Sequence, residues 1–230
     1  MSLEILTTWL WLAQDGVPAG EWLSRNTDAI VRRGVEHLQL TGMSIGFGLA
    51  ISIVLAIIAM RYRWAYRPIT MATGIVFTIP SIALFPILRP YFGLTTTTAV
   101  VGLTLYTLLF LFRNIIVGLE GVPADVVEAA EGQGYERNRL FLEVQLPLAL
   151  PVIIAGIRIA TVTTIGLVTI TGLIGYGGFG FFIFDGLRSN LYLPKLLVGA
   201  LAPMALALIA DALLLLLERA LTPWSRRSAA

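Results

Sequence analysis

Long stretches of this chain hold no charged side chain, and short clusters between them carry most of the charge. Residues 38–60, 68–88 and 90–112 are uncharged, and two further stretches are interrupted once each, 148–173 by Arg158 and 196–217 by Asp211. At about 1.5 Å of rise per residue, each stretch is long enough as a helix to cross a hydrocarbon layer of about 30 Å. The pattern predicts an all-α polytopic membrane protein with about five transmembrane helices. Backbone groups in lipid must find partners within their own segment. Gly74, Pro80 and Pro86 are therefore read as kinks or close-packing points inside helices rather than as loops.

Composition agrees: 57% of the residues are hydrophobic and 13% charged, with a mean hydropathy of +0.84, against roughly 25% charged in an ordinary globular domain. Sixteen basic and 14 acidic side chains leave a net charge of +2, too near balance to argue for a nucleic-acid partner. With no cysteine there is no disulfide framework, thiolate metal site or cysteine nucleophile. The stretch WLWLA at 9–13 is too short to span, and no basic region precedes it as in a signal peptide. Trp9, Trp11 and Trp22 are expected at the membrane surface. Residues 1–36 then form an external or interfacial segment, 37–222 the transmembrane domain and 223–230 a cytoplasmic tail. Placing the N-terminus outside puts Arg61, Arg63, Arg67, Arg113, Arg137, Arg139, Arg219, Arg226 and Arg227 inside. Arg25, Arg32, Arg33, Arg89, Arg188 and Lys195 fall outside, so the positive-inside bias predicts N-out, C-in.

On that topology the one long polar insertion, 117–147, is cytoplasmic. Pro123 suits a first helical position and Asp125 the first turn, where the helix dipole favours a carboxylate. Val126, Val127, Ala129 and Ala130 give a small apolar surface, and Gly132 or Gly134 ends the helix. A second short helix, residues 136–145, is expected to run into Pro147. Small side chains edged by a carboxylate make a helix able to dock in a groove on another protein; composition alone equally allows a solvated connecting loop.

The segment EAAEGQGYERNRLFLEVQLP resembles the EAA signature of ABC importer permeases, the membrane components of binding-protein-dependent transport systems. Glu128, Ala129, Ala130, Gly134, Val144, Leu146 and Pro147 carry the match, with valine for the usual isoleucine. The resemblance implies the MetI-like permease fold and a loop that seats in a cleft of a separate ATPase. Closure of that ATPase on ATP then drives the transmembrane helices between inward-open and outward-open states. Glu128 is implied to meet a basic residue of the cleft, Ala129 and Ala130 to allow close approach, and Gly134 to make the turn. The implied partners are two ATPase subunits holding Mg-ATP, a second permease copy, identical or a paralogue, and an external solute-binding protein. All are set in a prokaryotic inner-membrane bilayer. The chain carries no G-x-x-x-x-G-K-[ST] loop, so no cofactor is expected on it and it is not expected to be an enzyme. FTIPSIALFPIL (77–88), AGIRIATVTTIG (155–166), LIGYGGFGFFIFDGL (173–187) and ERALTP (218–223) further resemble the osmoprotectant branch, for glycine betaine, carnitine and choline. Methionine and other small-solute importers share the fold and the loop.

GYGGFG at 175–180 has the spacing of a dinucleotide-binding loop, but such a loop works only between a strand and a helix, and here an apolar helix precedes it. Gly175, Gly177, Gly178, Phe179 and Gly180 are instead candidates for an external gate, with Phe179, Phe181 and Phe182 dipping into the interface. A lone charge in the membrane must be paired or wet, so Arg158 and Asp211 are expected to form an intramembrane ion pair that locks two helices. His37, the only histidine, is expected to be solvated or at headgroup level. Thr95–Thr98 are expected to cap the third span. Tyr91, Tyr106 and Trp64 could stack on a quaternary ammonium, but specificity is implied to rest with the binding protein. An ion-coupled secondary transporter needs internal repeats or a set of intramembrane acids, and only Asp211 qualifies. A membrane oxidoreductase needs a nucleotide fold or intramembrane haem ligands, and the sequence offers neither.

Overall fold

Pro80 divides what the charge pattern presents as one span. In the computed structural model, which describes residues 19–226, the 68–88 run is two helices, α3 (Arg63–Thr78) and α4 (Ser81–Phe92), and the chain turns through 102° between them. Proline has no N–H and pushes the residue before it out of helical geometry. Ile79 accordingly sits at φ −65°, ψ 126°. Its carbonyl accepts the hydroxyl of Tyr106, whose ring meets Phe77 edge-on at 5.8 Å.

Around this break run α1 (Ala19–Arg25), α2 (Thr27–Arg61), α5 (Thr96–Glu120), α6 (Ala124–Gly132) and α7 (Arg137–Leu140). A π turn (Phe141–Gln145) leads into α8 (Leu146–Ile170), which ends in a 3₁₀ turn (Thr171–Ile174). Then come α9 (Gly180–Arg188), α10 (Leu193–Leu221) and a 3₁₀ turn, Pro223–Arg226. No strand occurs among the described residues. Among the described residues four helices are long and apolar enough to cross a membrane: Thr27–Arg61, Thr96–Glu120, Arg137–Ile174 and Leu193–Leu221. The bent α3–α4 pair makes a fifth if counted as one span. Two boundaries differ from expectation. The first long helix starts at Thr27, inside the segment expected to precede the membrane domain. The third begins at Thr96 and continues through Arg113 to Glu120. An arginine does not stop a helix, because its aliphatic stem lies along apolar surface while its head reaches polar surroundings.

The chain forms two compact units. The first comprises the described residues up to Met43, with Pro80–Leu103 and Thr164–Leu208. One of its cores is Leu40, Phe85, Ala99, Leu103 and Val168; a second is Trp22, Phe179, Phe182 and Tyr192. Trp22 is thus buried, 8% exposed and edge-on to Phe182 at 5.9 Å, because aromatic neighbours cover it better than a membrane surface does. Trp9, Trp11 and Arg227 lie outside the described residues. The second unit comprises Ser44–Ile79, Thr104–Thr163 and the chain from Ile209, with a core of Ala56, Ala59, Phe112, Ile115 and Ile116. In this unit α2 presents a buried stripe of small residues every four positions: Ser44, Gly48, Ser52 and Ala56. Such stripes let helix backbones approach closely where no hydrophobic force drives them together. The approach is tight enough that a Cβ added at Gly48 would lie 1.9 Å from the Thr107 hydroxyl oxygen.

Candidate functional site

α6 follows from its sequence. Pro123, at φ −59° and ψ 134°, is the residue just before the helix rather than its first member, and Asp125 falls in the first turn as expected. At the other end the Tyr135 N–H donates to the Ala130 carbonyl (3.2 Å) and the Gly134 N–H to the Glu131 carbonyl (2.9 Å). This bond pair is a Schellman close, which needs a left-handed residue where Gly134 stands. Gly134 has φ +83°, and no atom lies within 4 Å of the Cβ it lacks. The demand for glycine is conformational, since only glycine enters that region at no cost.

The second short helix expected over 136–145 does not stand alone. Arg137–Leu140, the π turn and α8 follow without interruption, and Pro147 lies in the first turn of α8. Within that run Pro147 is an interior proline with no N–H for the preceding turn, and the π turn, a usual place for such an irregularity, lies immediately ahead of it. The result is one helical run from Arg137 to Ile174. Arg139 braces the joint, with its Nε 3.0 Å from Glu143 Oε2 and its guanidinium 4.5 Å above the Tyr135 ring.

The structure brings part of the signature together. Ala129, Ala130 and Val144 line one cavity of ≈ 380 Å³ with Asp125, Val126, Gln133 and Tyr135. Ala130 is buried, whereas Glu128, Ala129 and Gly134 are exposed. Leu146 lines a separate, larger cavity in the same unit. α6 is thus a short helix seated by one alanine, with a carboxylate and a small residue turned outward.

Arg158 and Asp211 also meet in the second unit. Arg158 donates from Nε to Asp211 Oδ1 (2.9 Å) and from its second terminal nitrogen to Oδ2 (3.1 Å), a bidentate fork. Its remaining terminal nitrogen donates to Glu218 Oε2 at 3.1 Å. Glu218 escaped the sequence reading because it lies at the charged end of the last span. The signal was its spacing: seven residues after Asp211, two helical turns on, hence on the same face of α10.

The 175–180 segment belongs to the first unit and corrects two expectations. His37 is not solvated. It is fully buried; its Nε2 lies 3.0 Å from the Ile165 carbonyl, and its Nδ1 accepts the Phe179 N–H at 3.4 Å. Phe179 and Phe182 are likewise buried, at 9% and 3% exposed, instead of facing lipid headgroups. Close backbone approach is the reason. A Cβ on Gly178 would lie 2.6 Å from that of His37, and one on Gly180 2.0 Å from the Thr169 carbonyl oxygen. The gate-candidate glycines therefore press the aromatic residues inward. Of the threonine run, Thr95 and Thr98 donate backward to the carbonyls of Phe92 and Gly93. They close the preceding turn, and neither caps a helical N–H with its side chain. Tyr91 and Trp64 are exposed while Tyr106 is buried.

Residues 48–223 match the family described as binding-protein-dependent transport system inner membrane component. The chain is 33% identical over 204 residues to the choline transport system permease protein OpuBB of Bacillus subtilis, covering 88% of this chain and 93% of that protein. It is 36% identical over 193 residues to the osmoprotectant import permease protein OsmW of Salmonella typhimurium, covering 82% and 89%. Among solved structures, an inward-facing conformation of the MetNI methionine ABC transporter superposes with a TM-score of 0.75 at 21% identity. That match covers 96% of this chain and 100% of the other, a likeness of fold. The helical architecture, the helix at 124–132 and the match across most of the chain converge: this protein is an ABC transporter permease of the binding-protein-dependent inner membrane component family.

Proposed function

We propose that this permease forms the translocation path of an ATP-driven importer for small osmoprotectants of the glycine betaine, carnitine and choline class. α6 is its docking element for a separate ATPase. The observation that carries the reading is the outward presentation of Glu128, Ala129 and Gly134 at the head of a helical run that continues unbroken from Arg137 to Ile174. A partner gripping α6 moves a spanning helix directly. The solute class comes from relatives named for choline and osmoprotectant transport; the methionine transporter supports the fold alone. In this reading two ATPase subunits bind Mg-ATP on the cytoplasmic side, two permease chains enclose the path, and a solute-binding protein delivers cargo outside. The N-terminus is outside, the C-terminus inside, and Glu128 meets a basic residue of the ATPase cleft.

The chain has no native cysteine, so a cysteine placed at Ala129 is unique. With the ATPase and binding protein in proteoliposomes, we expect that cysteine to cross-link to the ATPase and radiolabelled glycine betaine uptake to require ATP. Uptake of methionine but not betaine overturns the solute class. Full ATP-driven uptake with no cross-link at any position from 125 to 134 overturns the docking role.

A further inference from the structure

Glu36 in α2 has one carboxylate oxygen without a partner. Its Oε2 pairs with Arg33 at 2.6 Å, while Oε1 is buried with no hydrogen-bond donor. A carboxylate with only one of its oxygens matched keeps negative charge at this place in the fold, and negative charge draws a cation toward it. Glu36 also forms part of the wall of a cavity of ≈ 260 Å³ in the first unit, shared with Arg33, Gln39, Thr96, Gly175 and Tyr176. This is just below the roughly 300–1,000 Å³ of pockets for drug-sized molecules, a size suited to a small solute.

The wall carries both signs of charge. The Arg33 guanidinium lies 4.0 Å over the Phe181 ring, which holds its plane in place. One of its five N–H donors goes to Glu36, leaving others for a carboxylate. Opposite in sign, Glu36 shares the cavity wall with Tyr176, and a carboxylate and an aromatic ring lining one cavity attract a cation that has no N–H of its own to donate. We infer that this cavity is a binding site for a small zwitterion bearing a carboxylate and a quaternary ammonium. Arg33 takes the carboxylate, and Glu36 with Tyr176 takes the ammonium. The inference rests on the proposed import function and assigns residues to its solute, on the external side in the proposed orientation.

The test is equilibrium binding of radiolabelled glycine betaine to the full chain in nanodiscs, beside the ATP-driven uptake assay above. Wild type is expected to bind betaine and to prefer it to glycine, which lacks the methylated nitrogen. Glu36→Gln and Tyr176→Leu should each weaken binding, the first by about tenfold or more. Arg33→Gln should weaken betaine binding while leaving choline, which has no carboxylate, unchanged or tighter. A rise in the wild-type thermal midpoint with betaine but not with glycine supports the site even if a variant fails to fold. Absence of betaine binding by wild type, or Glu36→Gln binding as wild type does, overturns it. Uptake without binding removes only this site; binding without ATP-driven uptake keeps the site and removes the import reading.

Discussion

Replacing Gly134 separates a requirement for backbone shape from one for space. The residue has φ +83° and closes α6 with the Tyr135-to-Ala130 and Gly134-to-Glu131 bonds. A left-handed conformation costs a residue with a Cβ roughly 1–2 kcal/mol, which lowers the population of the native turn by about 5–30-fold relative to alternatives. Because nothing lies within 4 Å of the missing Cβ, alanine and leucine should be equally harmful, and asparagine, which tolerates this region, markedly less so. The readout is ATP-driven uptake at limiting ATPase, where loss of docking-competent turn appears as a proportional loss of rate, together with cross-linking yield from Ala129. A Gly134→Ala chain that docks and transports as wild type refutes the reasoning. Leucine falling far below alanine refutes it differently, by showing that the partner needs the space.

Gly48→Ala forces a methyl onto the Thr107 hydroxyl. It should cost about 1–3 kcal/mol of overpacking in detergent-unfolding experiments, and Thr107→Ala should restore much of the loss. Asp211→Asn should lower the thermal midpoint more than Glu218→Gln, because two of the three Arg158 bonds go to Asp211. The triple replacement of Arg158, Asp211 and Glu218 by leucine should recover part of it, since no charge of the trio is then left alone. Unchanged stability with lost transport would give the trio a role in solute movement instead. His37→Leu strands the Phe179 N–H and removes the histidine's contact with the Ile165 carbonyl, which lies within α8. It should destabilise by about 1–3 kcal/mol and accelerate hydrogen exchange at the Phe179 amide; an unchanged exchange rate contradicts the hydrogen bond from that amide to the histidine.

Uncharged runs located the spans because lipid excludes charge, but they misplaced several ends. Asp28, Arg32, Arg33 and Glu36 hid the first third of α2, although charged residues at a helix end are common where side chains reach headgroups. The break at Pro80 was visible as a residue and not as an angle, since a proline in a run without charge reads equally as a gentle kink. The signature at 128–147 was legible as spacing alone, while the continuity of α7, the π turn and α8 depends on hydrogen bonds that no spacing reports. His37 and Trp22 were misjudged for one reason. A polar or amphipathic residue near a span end has a default surface reading, and only tertiary contact with Phe179, Phe182 and the Ile165 carbonyl overrides it. Glu218, by contrast, was within reach of helical geometry alone.

The π turn at Phe141–Gln145 gives the run from Arg137 an adjustable azimuth. A π turn spans one residue more than an α turn, and each residue of an α-helix advances by about 100°. Tightening those five residues into ordinary α geometry would swing everything ahead of them, Tyr135 and α6 included, around the axis of α8 while leaving the spanning portion in register. In the proposed docking, a partner holding α6 would apply torque as much as push.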